Sequence, residues 1–433
     1  MACGRGTVLK ESVMPQLVVM KFGGTSVVTP DARSAVAARI SERHAEGCQV
    51  VVVVSAMGRK GQPYATDTLL ELAADCHGPD SASRERDAIA AVGEDLAAAV
   101  LASELIARDL PAISLRSHQA GILTDGVFQN ARIERIDPTN IRRRLDDGRI
   151  VVITGFQGMS SDGDITTLGR GGSDTSAVAI GASLAADLVE IFTDVEGVFS
   201  ADPRVVPEAQ VIPELPYHEA AEMAHGGARV IHPRAAEVAA RHGLDVRIRS
   251  TFSDAPGTLL RPNVTANGGK LEGCGDRLAC AVASIRDVSQ VAVVSPEFME
   301  EPGRVCDLLD RLAEARISLD MINILDDRLV STVKRSDLTA ATTLLEDAGY
   351  TPQVKADCAK VTLIGGGIHG VPGVVARMAR LLHAACIPIL QSVDSSMIVS
   401  VLVPAGDEAR AVRALHAGFL DLLSVAEDKR PAL

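Results

Sequence analysis

The chain reads as an α/β protein with a mainly parallel sheet, followed by two small ferredoxin-like βαββαβ units. Three observations predict this. Between residues 14 and 260, short β-branched runs alternate with helical stretches, the pattern of strands joined by helical crossovers. Several of those runs are continuously apolar, as strands covered on both faces are. Beyond a segment dense in Gly and Pro, the sequence repeats itself.

Taken in order, the strands are predicted at 17–20, 50–55, 113–115, 150–154, 188–193 and 246–248, with helices at 31–45, 88–107, 173–185 and 218–225. Residues 1–13 carry no pattern and read as a loose extension, and the α/β domain takes 14–260. Pro256, Gly257, Pro262, Gly268, Gly269 and Gly273 crowd the next stretch, which places a linker at 261–278. Two repeats follow, at 279–356 and 357–433, each read as strand, helix, strand, strand, helix, strand. Their Pro-Gly pairs, Pro302-Gly303 and Pro372-Gly373, lie 70 residues apart. Gly365, Gly367 and Gly370 match the GxGxxG dinucleotide pattern, but too little chain follows for such a domain, and the first repeat lacks the glycines.

With 433 residues and 47% apolar content the chain can bury two or three cores. Aromatic residues are 3% and Trp is absent, so those cores are built of Val, Leu, Ile and Ala. A net charge of −13 and the shortage of stacking platforms argue against a nucleic-acid binder. The eight cysteines are scattered without CxxC spacing, and His218-Glu219 lacks a second histidine, so neither a disulfide framework nor a metal site is expected. No apolar run is long enough to span a membrane, and residues 1–13 hold no signal core; the expected setting is cytoplasmic.

Three clusters carry chemistry. Lys21-Phe22-Gly23-Gly24-Thr25-Ser26 closes an apolar strand with a cation and bare backbone amides, which suits a phosphate; the helix at 31–45 is expected to aim its N-terminus at the same anion. Thr166-Thr167-Leu168-Gly169-Arg170-Gly171-Gly172-Ser173-Asp174-Thr175 leads into a helix whose N-cap would be Ser173 or Asp174. Arg170 offers a fork for a carboxylate, Gly171 and Gly172 allow close approach, and Asp174 either caps the helix, holds an ammonium or orients Lys21. Together they suit a zwitterionic amino acid. The third cluster, Thr193-Asp194 through Phe199-Ser200-Ala201-Asp202-Pro203-Arg204, follows a buried strand where adenine and ribose can lie at a sheet edge. Ser55 ends the run 51–54, and Glu94 follows Gly93 ahead of the Ala-rich stretch 96–107; simple capping is the alternative at each.

These clusters, in this order and ahead of two βαββαβ repeats, resemble the aspartate kinases over nearly the whole chain, from about residue 14 to 419. The stretches 55–72 and 359–392 are most similar to the diaminopimelate-sensitive aspartokinases of bacilli. The resemblance implies a carbamate-kinase-like amino-acid-kinase domain followed by two ACT domains. It implies ATP-dependent phosphorylation of the L-aspartate β-carboxylate, the first step toward lysine, threonine and methionine, with Mg2+ held mainly by the ATP phosphates. It further implies that Lys21, Phe22, Gly23 and Gly24 hold phosphate, while Ser55, Glu94, Arg170, Gly171, Gly172, Ser173 and Asp174 surround aspartate. Thr193, Asp194, Phe199 to Arg204, Arg229 and Val230 would line the ATP site. An amino-acid effector (diaminopimelate, lysine or threonine) and a homodimer or larger homo-oligomer built through the ACT domains complete the implied partners. One departure stands out: Gly227-Ala228-Arg229-Val230 has Arg where many members have Lys. The alternatives are another kinase of the same fold, acting on glutamate, acetylglutamate, carbamate or UMP, and a catalytically inactive amino-acid sensor.

Overall fold

The computed structural model describes residues 17–72, 82–228, 231–262, 279–295, 298, 301, 303–368 and 371–419. The expected extension and residues 263–278 of the expected linker lie outside the described residues, as do Arg229, Val230, Pro302 and Gly370. Two compact units result, one drawn from 1–197 and 230–262, the other from 198–229 and 263–433. Residues 198–229 join the second unit because Ala201 and Val206 are buried in a core with Val282, Val361, Met378, Leu382, Ala411 and Leu415. Val282 also donates its N–H to the Ser200 carbonyl at 2.8 Å.

The chain opens with β1 (Leu17–Phe22), α1 (Gly24–Val27), α2 (Pro30–Ala45) and β2 (Gln49–Val54), then α3 (Thr66–Glu71), α4 (Ala82–Ile106) and β3 (Ala112–Leu115). Next come β4 (Ile122–Thr124), β5 (Ile133–Ile136), α5 (Thr139–Asp146), β6 (Ile150–Thr154), β7 (Gln157–Met159), β8 (Ile165–Thr167), α6 (Gly172–Leu184) and β9 (Leu188–Thr193). After β10 (Glu214–Pro216) and α7 (Tyr217–His225), which belong to the second unit, α8 (Pro233–His242), β11 (Val246–Ser250) and β12 (Thr258–Arg261) complete the first.

The first unit's main sheet runs β12-β11-β9-β1-β2-β6-β3. All neighbours are parallel except β12, which lies antiparallel to β11. Its middle strands are apolar throughout because helices cover both faces: residues 50–54 and 150–154 are entirely buried. Helix α2 lays Ala32, Val36, Ala37 and Ile40 inward, one helical face. A smaller sheet, β5-β4-β7-β8, borders the same unit.

Three helix expectations change. The Gly-Gly turn opens the single turn α1, while α2 starts later at Pro30 with its own cap, Thr29 Oγ1 accepting the Ala32 N–H at 3.1 Å. The helix expected at the anion is therefore capped by its own side chain. Helix α4 starts earlier than expected and runs through Gly93, where a Cβ would stand 2.7 Å from that of Ala56, so Glu94 lies mid-helix and caps nothing. Helix α6 begins at Gly172 because Gly171 turns the chain at φ +68°, which leaves Ser173 and Asp174 inside the helix and not at its cap.

The second unit continues through β13 (Ala281–Val294), α9 (Gly303–Glu314), β14 (Asp320–Leu325), β15 (Arg328–Lys334), α10 (Leu338–Asp347), β16 (Gln353–Ile364), α11 (Val374–Ala384), β17 (Gln391–Asp394), β18 (Ile398–Pro404) and α12 (Glu408–Phe419). One antiparallel sheet, β14-β15-β13-β16-β18-β17, holds both βαββαβ copies. The two expected copies share strands and are interleaved. Strands β13 and β16 are each long enough to serve both: Val288–Ala292 pair with Cys358–Gln353, and, past a bulge, Ala281–Ile285 pair with Ile364–Lys360. The strand that completes the second copy is thus the front of β13, ahead of the first copy. No helix among the described residues is long and apolar enough to cross a membrane.

On β9 the fully buried Glu190 is held by Arg43 of α2, at 2.7 and 2.9 Å, and by Arg249 of β11 at 3.3 Å. Removing one member of such a cluster strands buried charge. Glu190→Ala is expected to destabilise the protein by about 3–5 kcal/mol, measured by urea denaturation; a loss near zero would show the cluster to be dispensable.

Candidate active site

Strands β1, β2 and β6 run parallel and in step, with Phe22 opposite Val54 and Val54 opposite Thr154. The ladder continues one residue further, Ser55 N–H to the Phe22 carbonyl at 3.1 Å and Gly155 N–H to the Val54 carbonyl at 2.9 Å. Whatever follows each strand therefore emerges at one carboxyl edge, where open α/β sheets bind ligands. A cleft of about 710 Å³ lies there, lined by Lys21, Gly23, Gly24, Ser55, Arg86, Asp87, Asn130 and residues 169–174.

Lys21 Nζ stands 2.7 Å from Asp174 Oδ1, so the first turn of α6 and the end of β1 fix one another. A Cβ on Gly23 would lie 3.7 Å from that ammonium, which puts the bare backbone beside the charge. Gly24 has no room for a side chain: its Cβ would sit 2.4 Å from the Ala56 carbonyl oxygen and 2.8 Å from that of Gly58. Gly171 combines its left-handed turn with a tight fit, a Cβ there falling 2.1 Å from the His232 ring. Between these fixed points Arg170 is exposed in the cleft wall, and its guanidinium takes no hydrogen bond or ion pair among the described residues. Ser55 is half-buried and Ser173 buried beside it.

Glu94 is 2% exposed. Its Oε1 accepts the Ala56 N–H at 3.0 Å and its Oε2 has no partner. Burial pushes its carboxyl from an ordinary 4.5 up to about 8.

One contributor was not singled out from the sequence. Asp87, buried on α4, accepts hydrogen bonds from Thr167 N–H and Oγ1 (both 2.8 Å) and from Gln129 N–H (2.9 Å). It ties α4 to the end of β8, just ahead of Gly169 and Arg170, and burial raises its pKa. Its spacing of seven residues from Glu94, two turns of one helix face, was the available signal.

The expected nucleotide residues divide. Phe22 leaves only its backbone available to a ligand, because its ring is buried and stacked on Phe192 at 4.6 Å. Thr193 ends β9, and Asp194 pairs with Arg59 at 2.7 Å. Neither lines the cleft. Phe199 to Arg204 lie in the second unit. There the Ser200 hydroxyl meets His416 Nε2 at 2.9 Å and Ala201 is packed into the core, which leaves their backbone as what they can offer a ligand. Asp202, Pro203 and Arg204 stay exposed, with the Arg204 hydrogen bond holding the Asp202 carboxyl below its ordinary range.

The amino acid kinase family matches residues 16–250, and the ACT domain matches 353–417. Aspartokinase 1 of Bacillus subtilis is 42% identical over 406 residues, covering 93% of this chain and 99% of that protein. The chain belongs to the aspartokinase family. Among solved aspartokinases, E. coli aspartokinase III in complex with aspartate and ADP (R-state) superposes with a TM-score of 0.76 at 26% identity, over 93% of this chain and 99% of that one. The same enzyme in complex with lysine and aspartate (T-state) gives 0.73 at 26% identity, over 94% and 100%. Membership accounts for both parts of the chain, the sheet with the cleft and the βαββαβ pair that follows it in sequence.

The buried carboxyl of this aspartokinase gives a pH signature. Folded Glu94 keeps its proton to about pH 8, whereas an unfolded glutamic acid loses it near 4.5. The folded state therefore binds the extra proton in between, and its stability falls as pH rises through that window. Relative to Glu94→Gln, the wild type is expected to lose stability between pH 5 and 8. Urea denaturation at the two pH values checks this; a constant difference would place the Glu94 pKa near its ordinary value.

Proposed function

We infer that the cleft transfers the γ-phosphoryl group of ATP to the β-carboxylate of L-aspartate, giving 4-phospho-L-aspartate and ADP. The observation that carries the reading is one cleft holding a strand-end ammonium beside bare glycine backbone, with an unpartnered guanidinium in its wall. The acceptor carboxylate, with a pKa of about 4, is already an anion at neutral pH and needs no general base. The barrier is repulsion between two anions and the loss of freedom in aligning them. Lys21 and the Gly23 and Gly24 amides neutralise charge on the transferring phosphoryl group. Arg170 grips the α-carboxylate as a fork, while Gly171, Gly172 and Ser173 let the substrate lie against backbone. Asp174 orients Lys21. Ser55 approaches the β-carboxylate and Glu94, through Ala56, fixes the loop behind it.

Asp87 and Asp174 are already engaged by hydrogen bonds or Lys21, and no cluster of three His, Cys, Asp or Glu among the described residues could hold a metal. That donor set fits a Mg2+ ion carried mainly by the ATP phosphates, where it would neutralise phosphate charge. Thr193, Asp194, Asp202, Pro203, Arg204 and the backbone of Phe199 to Ala201 are proposed for the nucleotide, as are Arg229 and Val230. A cytoplasmic setting and a homo-oligomer joined through the βαββαβ units belong to the same reading. So does feedback through those units by diaminopimelate, lysine or threonine, which an inhibition panel separates; no inhibition by any of them would remove the sensing role.

Lys21→Ala is expected to lower kcat by roughly 10³-fold or more with the fold retained, and Arg170→Ala to raise the aspartate KM with a smaller effect on kcat. Near-wild-type turnover in the first, or an unchanged KM in the second, would overturn those assignments.

A further inference from the structure

The first unit holds a second cavity, of about 530 Å³, walled by β5, α6 and α8. Helix α8 turns Ala235, Ala236 and Ala239 into the core and presents Arg234, Val238 and Arg241 to this cavity, positions that share one helical face. Helix α6 faces them with Thr175, Ala179, Ala182 and Ser183, and β5 with its flank adds Arg132 and Arg135. The floor is therefore small and apolar while the rim is cationic, four arginines and His242 against Glu134 and Glu237.

The chain is acidic, and elsewhere in this unit Arg33, Arg39, Arg59, Arg84 and Arg116 each hold a carboxylate. Among the described residues Arg132, Arg135 and Arg241 form no ion pair, although Asp137 is close enough to interact with Arg135, and Glu134 and Glu237 share their walls. Arg234 is the exception that ties the cavity to its surroundings: it donates to the Leu168 carbonyl at 3.3 Å and to Asn130 Oδ1 at 2.7 Å. Guanidiniums gathered along a concave, partly apolar surface can bind planar oxyanions with two contacts each.

We propose that this cavity is a second ligand site, distinct from the substrate cleft, for a small anion bearing at least two phosphate or carboxylate groups. Arg132 and Arg241 grip its charged ends and the Ala179, Ala182 and Val238 floor takes its body. Calorimetric titration of the whole protein with inorganic pyrophosphate and with citrate tests this and separates the two anion types. At least one is expected to bind at a site that survives both saturating aspartate and the Arg170→Ala substitution. Arg132→Ala and Arg241→Ala should each weaken it roughly tenfold, and Glu237→Gln, which removes a repelling carboxylate, should tighten it. Absence of binding by both probes, or binding that Arg170→Ala abolishes and Arg241→Ala leaves intact, would overturn the proposal. A tightened Glu237→Gln variant cannot be explained by misfolding.

Discussion

The first unit depends on burying a strand of five consecutive valines, residues 50–54, on both faces. Such a strand has no polar side to show to water, so it must lie mid-sheet with hydrogen-bonded neighbours and helices above and below. Its partners β1 and β6 are parallel to it and in register, and their ends therefore coincide. Lys21, Ser55 and Phe156 consequently border a single cleft although they are distant in sequence. The glycines at 24, 93 and 171 answer the crowding this creates, each standing where a Cβ would strike a neighbour below 3.0 Å.

On that edge the electrostatics are local. A chain with net charge −13 repels anions at long range, so phosphate and carboxylate must be captured by contacts within a few ångströms. Lys21, fixed by Asp174, supplies a positioned cation, and Arg170 supplies one that has no ion pair among the described residues. Glu94 and Asp87 sit beneath them as buried carboxyls on one helix, holding respectively the loop after β2 and the strand before Arg170. The two roles differ chemically. Asp87 is surrounded by donors, whereas Glu94 has one oxygen without a partner, which is why burial raises it so far.

The strands and helices that bear the site were legible because continuous apolar runs and Gly-rich strand ends leave little choice of conformation: strands 150–154 and 188–193 were placed with their observed bounds. Lys21, Ser55 and residues 170–174 were legible for the same reason, since cation and glycine together at a strand end have few structural uses. The interleaving of the two βαββαβ copies was not, because a strand twice the usual length looks in sequence like a strand plus a connection, and only pairing reveals that β13 and β16 each serve both copies. Nor was the allegiance of residues 198–229, which depends on Ala201 and Val206 finding a core whose other members start only at Ala279. Asp87 escaped because the helix was expected only from residue 88, so it reads as part of the charged stretch 84–87 until its three donors are seen.

The central claim is phosphoryl transfer to one particular carboxylate of aspartate. It is tested most directly by supplying the protein with ATP, Mg2+ and L-aspartate in the presence of hydroxylamine, which captures acyl phosphates, and identifying the product by NMR. The account predicts aspartate β-hydroxamate formed in step with ADP. ADP release without hydroxamate, or hydroxamate on the α-carboxyl, would contradict it.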